Sequence, residues 1–408
     1  MTTDKRSQLE DAGPVIEISE PEQTAQSALQ PHFTVIVKTT DNCNMGCLYC
    51  YASCPTDYKS LVGINKSDSM DLETMKNMVH KIAAVNQPSG STTFIWHGGE
   101  PLLLGLDFYK RAIEVEQSIP DHKFKNDIQT NGTLLTPQYL DFFAENSFHI
   151  GMSLDGIAAT HNFSRPYGTG RPSFEDTFAA VLEVKKRKLG GGVICILNRN
   201  TEPHLEEIYG FFKANEINAK MNVQLPAGAA LHHRDLALTP VQAGRALNRL
   251  FDLWFNDNSQ PVIDIEPFTD IMGNIGGYRN TVSKTEYPVV CLFRNKCAYS
   301  FISVAPDGGV FPCGRFSDEP GFYMGNINTN SMEEILASAP RQLFVQRATQ
   351  VIESCKPCDY RPICNSGCPD NALMTSGDML KKDGFCAMYK LMFIHIEEAL
   401  RKELGIMR

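Results

Sequence analysis

From Phe33 to Leu225 the chain alternates β-branched runs with stretches of helical periodicity, an order that dictates parallel strands with helices packed against them. The strand runs are FTVIV from Phe33, TTFIW from Thr92, NDIQT from Asn126, HIGMSL from His149, GVICIL from Gly192 and KMNVQL from Lys220. Between them apolar residues recur at helical spacing, as in Leu72, Met75, Val79 and Ile82, or Leu140 and Phe143 after the start signal Thr136-Pro137. The alternation then stops. Pro240 to Phe255 reads as a helix with Leu247, Leu250, Phe251 and Trp254 on one face, and a cysteine-rich region runs from Cys291 to Cys386. Within that region FISVAPDGGVFPC reads as a hairpin turning at Asp307-Gly308-Gly309, and a last helix is expected from about Met388 to Leu404.

The chain has 408 residues, 42% of them hydrophobic, enough for a large core and a smaller module. We expect an arm over residues 1–32, polar and acidic with Pro14 and Pro21, a barrel over 33–235, a helical bridge over 236–285 and a cysteine-rich domain over 286–408. A net charge of -9 disfavours binding to a phosphate backbone and points to a peptide or small-molecule partner rather than nucleic acid. No run approaches the roughly 18 to 20 apolar residues of a membrane span, and no apolar signal segment opens the sequence, so a cytoplasmic location is expected. In that reducing compartment thirteen cysteines, mostly in short-spaced clusters, indicate metal ligation rather than disulfides.

Directly after the first strand, TTDNCNMGCLYCYASC sets Cys43, Cys47 and Cys50 in a C-x3-C-x2-C loop. Three thiolates leave one iron of a [4Fe–4S] cube open, whereas a structural zinc site closes with four ligands. This loop, with Tyr49 before its third cysteine, resembles that of the radical S-adenosylmethionine (SAM) superfamily. The strand end Gly98-Gly99-Glu100-Pro101 resembles the family's segment that holds the SAM amino group. The resemblance extends to QTNG, with Gln129 and Asn131, and to SLDG, with Ser153, which are expected to line the SAM and substrate pocket. It implies a partial (β/α)6, TIM-like barrel whose chemistry sits at strand C-terminal ends. His97 reads equally as a SAM contact or as packing beside the turn. Cys54 and Cys195 read as buried thiols.

The remaining cysteines resemble a SPASM domain, with Cys297, Gly308 ahead of Cys313, C-x2-C-x5-C-x3-C from Cys355 to Cys368, then Cys386; the stretch MGNINTNSMEEIL from Met324 also fits it. That resemblance implies one auxiliary cluster on Cys291, Cys297, Cys313 and Cys368 and a second on Cys355, Cys358, Cys364 and Cys386. A pair of zinc sites is the alternative. Three [4Fe–4S] clusters and SAM are therefore the expected cofactors, with a 5′-deoxyadenosyl radical abstracting hydrogen, auxiliary clusters carrying an electron away, and a flavodoxin or ferredoxin as donor.

Such enzymes mostly modify peptides. The stretch from WHGGEPLLLGLDFY through SLDG resembles anaerobic sulfatase-maturating enzymes, in which an Asp after the hairpin cysteine is the base. Here Gly314 and Arg315 follow Cys313, leaving Asp318, Asp264, Glu266 or Asp270 as weak candidates for a carboxylate, with surface solvation the competing reading. On that departure the sequence reading favours a maturase of ribosomally made peptides that installs a carbon–carbon or carbon–heteroatom crosslink. Formylglycine formation is its alternative and peptide epimerisation, with Cys54 or Cys195 as hydrogen donor, a lesser one. The arm is too short for a leader-binding domain of about 80 residues, so peptide recognition is expected elsewhere.

Overall fold

The computed structural model describes residues 32–52, 69–85, 90–279, 291–294, 296–317, 319–403 and 405; the arm up to Pro31, Cys54 and Asp318 lie outside them. Six parallel strands form the frame: β1 (His32–Lys38), β2 (Ser91–His97), β3 (Lys123–Thr130), β4 (His149–Ser153), β5 (Gly190–Leu197) and β6 (Ala219–Val223). Helices connect them in the expected alternation: α1 (Leu72–Val85), α2 (Leu106–Gln117), α3 (Pro137–Glu145), α4 (Ala158–Ser164), α5 (Phe174–Lys186) and α6 (Leu205–Ala214). The parallel order is the one anticipated from the alternation, and the α/β arrangement is that of the partial barrel which the resemblance implies.

The sheet continues at both margins. A two-residue strand β7 (Ile265–Glu266) pairs with β6, while the hairpin β8 (Phe301–Val304) and β9 (Gly309–Phe311), followed by β10 (Gly325–Asn326), adds to the other side in the order β10-β9-β8-β1-β2-β3-β4-β5-β6-β7. Strand β8 runs parallel to β1, with Thr34 opposite Phe301 and Ile36 opposite Ser303. The cysteine-rich region is thus hydrogen-bonded into the barrel frame, and β1 has a neighbour on each side.

Side chains alternate along each strand. One face of the sheet is fully buried under the helices, with Val35, Phe94, Trp96, Ile128, Ile150 and Met152 packed on Tyr109 and Phe143. The concave face carries Ile36, His97, Gln129, Ser153, Lys220 and Asn222, mostly polar and partly exposed. A helix-covered face and a polar inner face mark the inside of an open barrel as the place where ligands are handled.

Helix α7 (Pro240–Phe255) begins at a capping box in which Thr239 and Gln242 satisfy each other's backbone amides. It packs on the terminal helix, which runs over Cys386–Glu403. A β-carbon on Gly244 would stand 3.1 Å from the Met388 Cα and 3.0 Å from Leu391, so glycine permits the close approach of the two helices.

Candidate active site

The loop after β1 is fastened to its surroundings by backbone bonds. Gly46 N donates to Pro166 O (2.8 Å), Leu48 N to Ser164 O (3.0 Å), and Ala229 N to Cys50 O (2.8 Å). The Gly98-Gly99 turn lies directly on this loop. Gly99 N donates to Thr40 O at 2.7 Å, and a β-carbon at Gly98 or Gly99 would fall 2.5 Å from Thr40 O or 2.1 Å from Asn42 O. The glycines are therefore required by the contact between turn and cysteine loop, independently of any ligand. Glu100 is fully buried, accepting from Leu102 N (3.1 Å), Thr130 Oγ1 (2.7 Å) and Asn131 N (2.9 Å), with burial pushing its carboxyl up to about 7. Its carboxylate joins the ends of β2 and β3.

Cys50 is close enough to act on the ionisation of both Cys43 and Cys47, and Cys43 on that of Cys47. Burial, chiefly, pushes Cys43 up to about 11 and Cys47 up to about 12, and the neighbouring thiols add to the rise. Asn131 steadies the loop by donating to Asn44 Oδ1 at 2.8 Å, while Gln129 reaches Ser153 at 3.4 Å. Sequence reasoning missed Arg165. Its guanidinium lies 5.1 Å from the Tyr49 ring centroid and 3.1 Å from Asp155 Oδ2, and it lowers the Cys47 thiol. Burial opposes the Arg165 charge, and Asp155, Tyr49 and Cys47 outweigh it. The Tyr49 hydroxyl also donates to Asp155. No motif marks Arg165; the one available signal was its position shortly after SLDG.

The eight C-terminal thiols gather as two groups. Cys297 senses the charge of Cys291, Cys368 and Cys313, whereas Cys364 senses Cys386, Cys355 and Cys358. Cys368 thus crosses from its sequence neighbours to the hairpin group. Among the described residues no three such side chains are set to hold a single metal ion, and four thiols per group are instead the donor type of a larger iron–sulfur cluster, whose cations would favour the thiolates that burial disfavours. Cys195 stands apart, fully buried on β5.

Between the two cysteine regions lies a cavity of about 250 Å³. Its wall combines Lys38, Tyr51 and His97 from the barrel with Arg315, Glu319 and Asp370 from the cysteine-rich region, and Leu225, Pro226 and Leu231 form an apolar side. His97 is held by its Nδ1 contact with Gly98 N at 2.7 Å, and burial lowers its pKa. Arg315 reaches Asp370 Oδ2 at 2.6 Å, Asn371 Oδ1 at 2.7 Å and Cys368 Sγ at 3.5 Å. Burial raises Asp370 to about 6, with Arg315 opposing. Gly314 also borders the cavity; a β-carbon there would lie 2.9 Å from Ile36 Cγ2.

Among the described residues, the carboxylates suggested by sequence are not brought to this cavity, and Asp318 lies outside those residues. Glu266 pairs with Lys220 at 2.7 Å, Asp264 accepts from Thr269 Oγ1 at 2.9 Å, and neither they nor Asp270 line the wall. The acids that do, Glu319 and Asp370, went unremarked because their approach depends on how the C-terminal loops fold back.

A three-thiol loop at the C-terminal end of the first barrel strand, beside a glycine turn and a ligand-sized cavity, defines the radical SAM class, and the chain belongs to the radical SAM enzymes that carry a SPASM domain. The family model described as the radical SAM superfamily matches residues 37–212, and that of the SPASM iron-sulfur cluster-binding domain matches residues 291–359. These domains imply iron–sulfur clusters and SAM, which displaces the zinc alternative. The cysteine-type anaerobic sulfatase-maturating enzyme of Clostridium perfringens (strain 13 / Type A) is 28% identical over 89% of this chain and 96% of its own. The serine-type enzyme of Bacteroides thetaiotaomicron is 26% identical over 92% of each. The solved structure of native anSMEcpe with bound AdoMet superposes with a TM-score of 0.78 at 25% identity, covering 92% of this chain and all of that one.

These findings correct the expectation of a crosslinking maturase. Streptococcus suis SuiB bound to its precursor peptide SuiA shares the fold alone, with a TM-score of 0.59 at 14% identity. The departure at Gly314 concerns one position, whereas the likeness to the sulfatase-maturating enzymes runs through both domains. Among the described residues no helix is long and apolar enough to cross a membrane.

Proposed function

We propose that this protein oxidises a cysteine or serine side chain of a peptide or protein to formylglycine, as an anaerobic sulfatase-maturating type of enzyme. The observation that supports it is similarity to both cysteine- and serine-type enzymes over about nine-tenths of the chain. Cys43, Cys47 and Cys50 would hold the cluster that binds SAM, with the Gly98-Gly99 turn, Gln129, Asn131 and Ser153 at neighbouring strand ends as its surroundings. The two C-terminal thiol groups would hold auxiliary clusters, for three in all. Bound SAM on a reduced cluster supplies abstraction of a hydrogen atom from the substrate's β-carbon.

The chain's own residues position the peptide and manage the proton. Leu225, Pro226 and Leu231 give its side chain an apolar contact, and Lys38 and Arg315 give its carbonyls cationic partners. Loss of one hydrogen atom, one electron and one proton turns the thiol into a thioaldehyde, which water converts to the aldehyde with release of hydrogen sulfide; a serine gives the aldehyde directly. Glu319 and Asp370 are the carboxylates on the wall that can accept the proton, standing in for the acid that Gly314 lacks. A flavodoxin or ferredoxin would supply the reducing electron.

The test incubates anaerobically reconstituted protein with SAM, reductant and sulfatase peptides carrying Cys or Ser. Mass spectrometry is expected to show loss of two hydrogens from a serine peptide, or loss of two hydrogens and exchange of sulfur for oxygen in a cysteine peptide. SAM cleavage with both peptides unchanged refutes the reading.

A further inference from the structure

Helix α8 (Ala339–Thr349) carries Arg347, whose side chain is only 3% exposed. One terminal nitrogen donates to Lys381 O; the other donates to Ser366 O at 3.0 Å and Gly367 O at 3.4 Å. These carbonyls belong to the loops that deliver Cys364, Cys368 and Cys386. The Nε is buried and has no hydrogen-bond partner. Arg347 also lines a small cavity with Cys291, Cys297, Gly367 and Pro369.

Among the described residues no carboxylate forms an ion pair with Arg347. The nearby Asp383 is engaged by Cys368 N (2.9 Å), Asn371 Nδ2 (2.8 Å) and Phe385 N (2.7 Å). Burial works against the guanidinium's charge, and the groups that support it are, in order, Cys368, the Asp383 carboxylate, Cys355 from the other thiol group, and Cys297. Enclosing a guanidinium is strongly unfavourable unless negative charge faces it, and here Asp383 and the thiols of both groups, with Cys291 and Cys297 on the same small cavity, supply that charge together.

We propose that Arg347 is a positioning residue that sets the reduction potential of the auxiliary clusters, acting most strongly on the one held by Cys291, Cys297, Cys313 and Cys368. Reduction adds one negative charge to a cluster, and a fixed cation in a dry setting stabilises the reduced form more than the oxidised one. The higher potential makes this cluster the better acceptor for the substrate's electron. The inference rests on the auxiliary-cluster assignment made above.

The experiment is an anaerobic, EPR-monitored redox titration of reconstituted wild-type, Arg347→Gln and Arg347→Lys proteins, with iron determined in each. Arg347→Gln at full iron content is expected to lower an auxiliary midpoint by at least tenfold in the reduced-to-oxidised ratio, 59 mV for a one-electron couple, leaving the N-terminal cluster unchanged. Arg347→Lys, which keeps the charge but not the forked contacts, is expected to stay within about threefold of wild type. Full iron with unmoved midpoints in Arg347→Gln overturns the proposal. Should Arg347→Gln lose iron, retention of iron and midpoints in Arg347→Lys supports the charge, whereas loss in both variants assigns Arg347 to scaffolding and overturns it. Wild-type protein holding about four irons instead refutes the auxiliary-cluster assignment beneath it.

Discussion

At the scale of single residues, Arg165 and Gly314 decide most. Arg165 is the buried cation shared by Asp155, Tyr49 and Cys47, so its removal leaves Asp155 enclosed without a counter-charge. Arg165→Gln should cost about 3–5 kcal/mol, read as a lowered thermal midpoint, and reduce the iron retained by the N-terminal site. A β-carbon at Gly314 would stand 2.9 Å from Ile36 Cγ2, so an acid following Cys313 would have to displace Ile36. Gly314→Asp should destabilise by about 1–3 kcal/mol, and Ile36→Ala in the same chain should relieve much of that loss. Calorimetry of the single and double variants checks the coupling. The cysteine ligand candidates stood out in the sequence because soft-metal donors cluster along it, and within each proposed set several of the thiols feel one another's charge. Arg165, Glu319 and Asp370 were not, because isolated charged residues reach the site only through tertiary folding.

At the scale of elements, β2, β3 and α2 share a buried polar chain: Trp96 Nε1 donates to Asn126 Oδ1 (2.7 Å), and Asn126 Nδ2 to Glu116 Oε2 (2.8 Å). Glu116 Oε1 has no partner, and burial pushes its carboxyl up to about 7. A carboxyl raised on folding binds its proton more tightly in the native state, so stability falls as pH rises from the unfolded value near 4.5 through about 7. Glu116→Gln should remove a pH-dependent loss on the order of 3 kcal/mol, seen as a smaller drop in thermal midpoint between pH 5 and pH 8. An unchanged drop would exclude Glu116 as its source. The close approach of α7 to the final helix gives a second check: Gly244→Val should cost about 1–3 kcal/mol by chemical denaturation. Helix α7 was legible to the residue, since Thr239 and Pro240 announce its start. Its Gly244 contact was not, because the partner helix lies more than a hundred residues away.

At the scale of the molecule, the expected order of strands and helices is present, while the joining of β8 to β1 was hidden in the sequence. Strand runs declare their own conformation; edge partners separated by most of the chain do not. The three clusters proposed would bring roughly twelve irons per chain, and on that assignment Cys368→Ala should lose close to four of them from the hairpin group, despite lying among the cysteines of the other. Iron analysis of the variant beside Cys358→Ala, which should spare the hairpin group's EPR signal, separates the two sets.

The crossing of Cys368 also has a consequence for biosynthesis. The N-terminal trio is complete once the first fifty residues have been made, but the hairpin set waits for Cys368 and the other for Cys386. A ribosome must therefore pass Cys368 before the first proposed C-terminal set has all its ligands, and Cys386 before the second. On the proposed assignment, cluster delivery to these sets follows synthesis of those cysteines, and nascent chains that stop short of them lack complete sites to receive it.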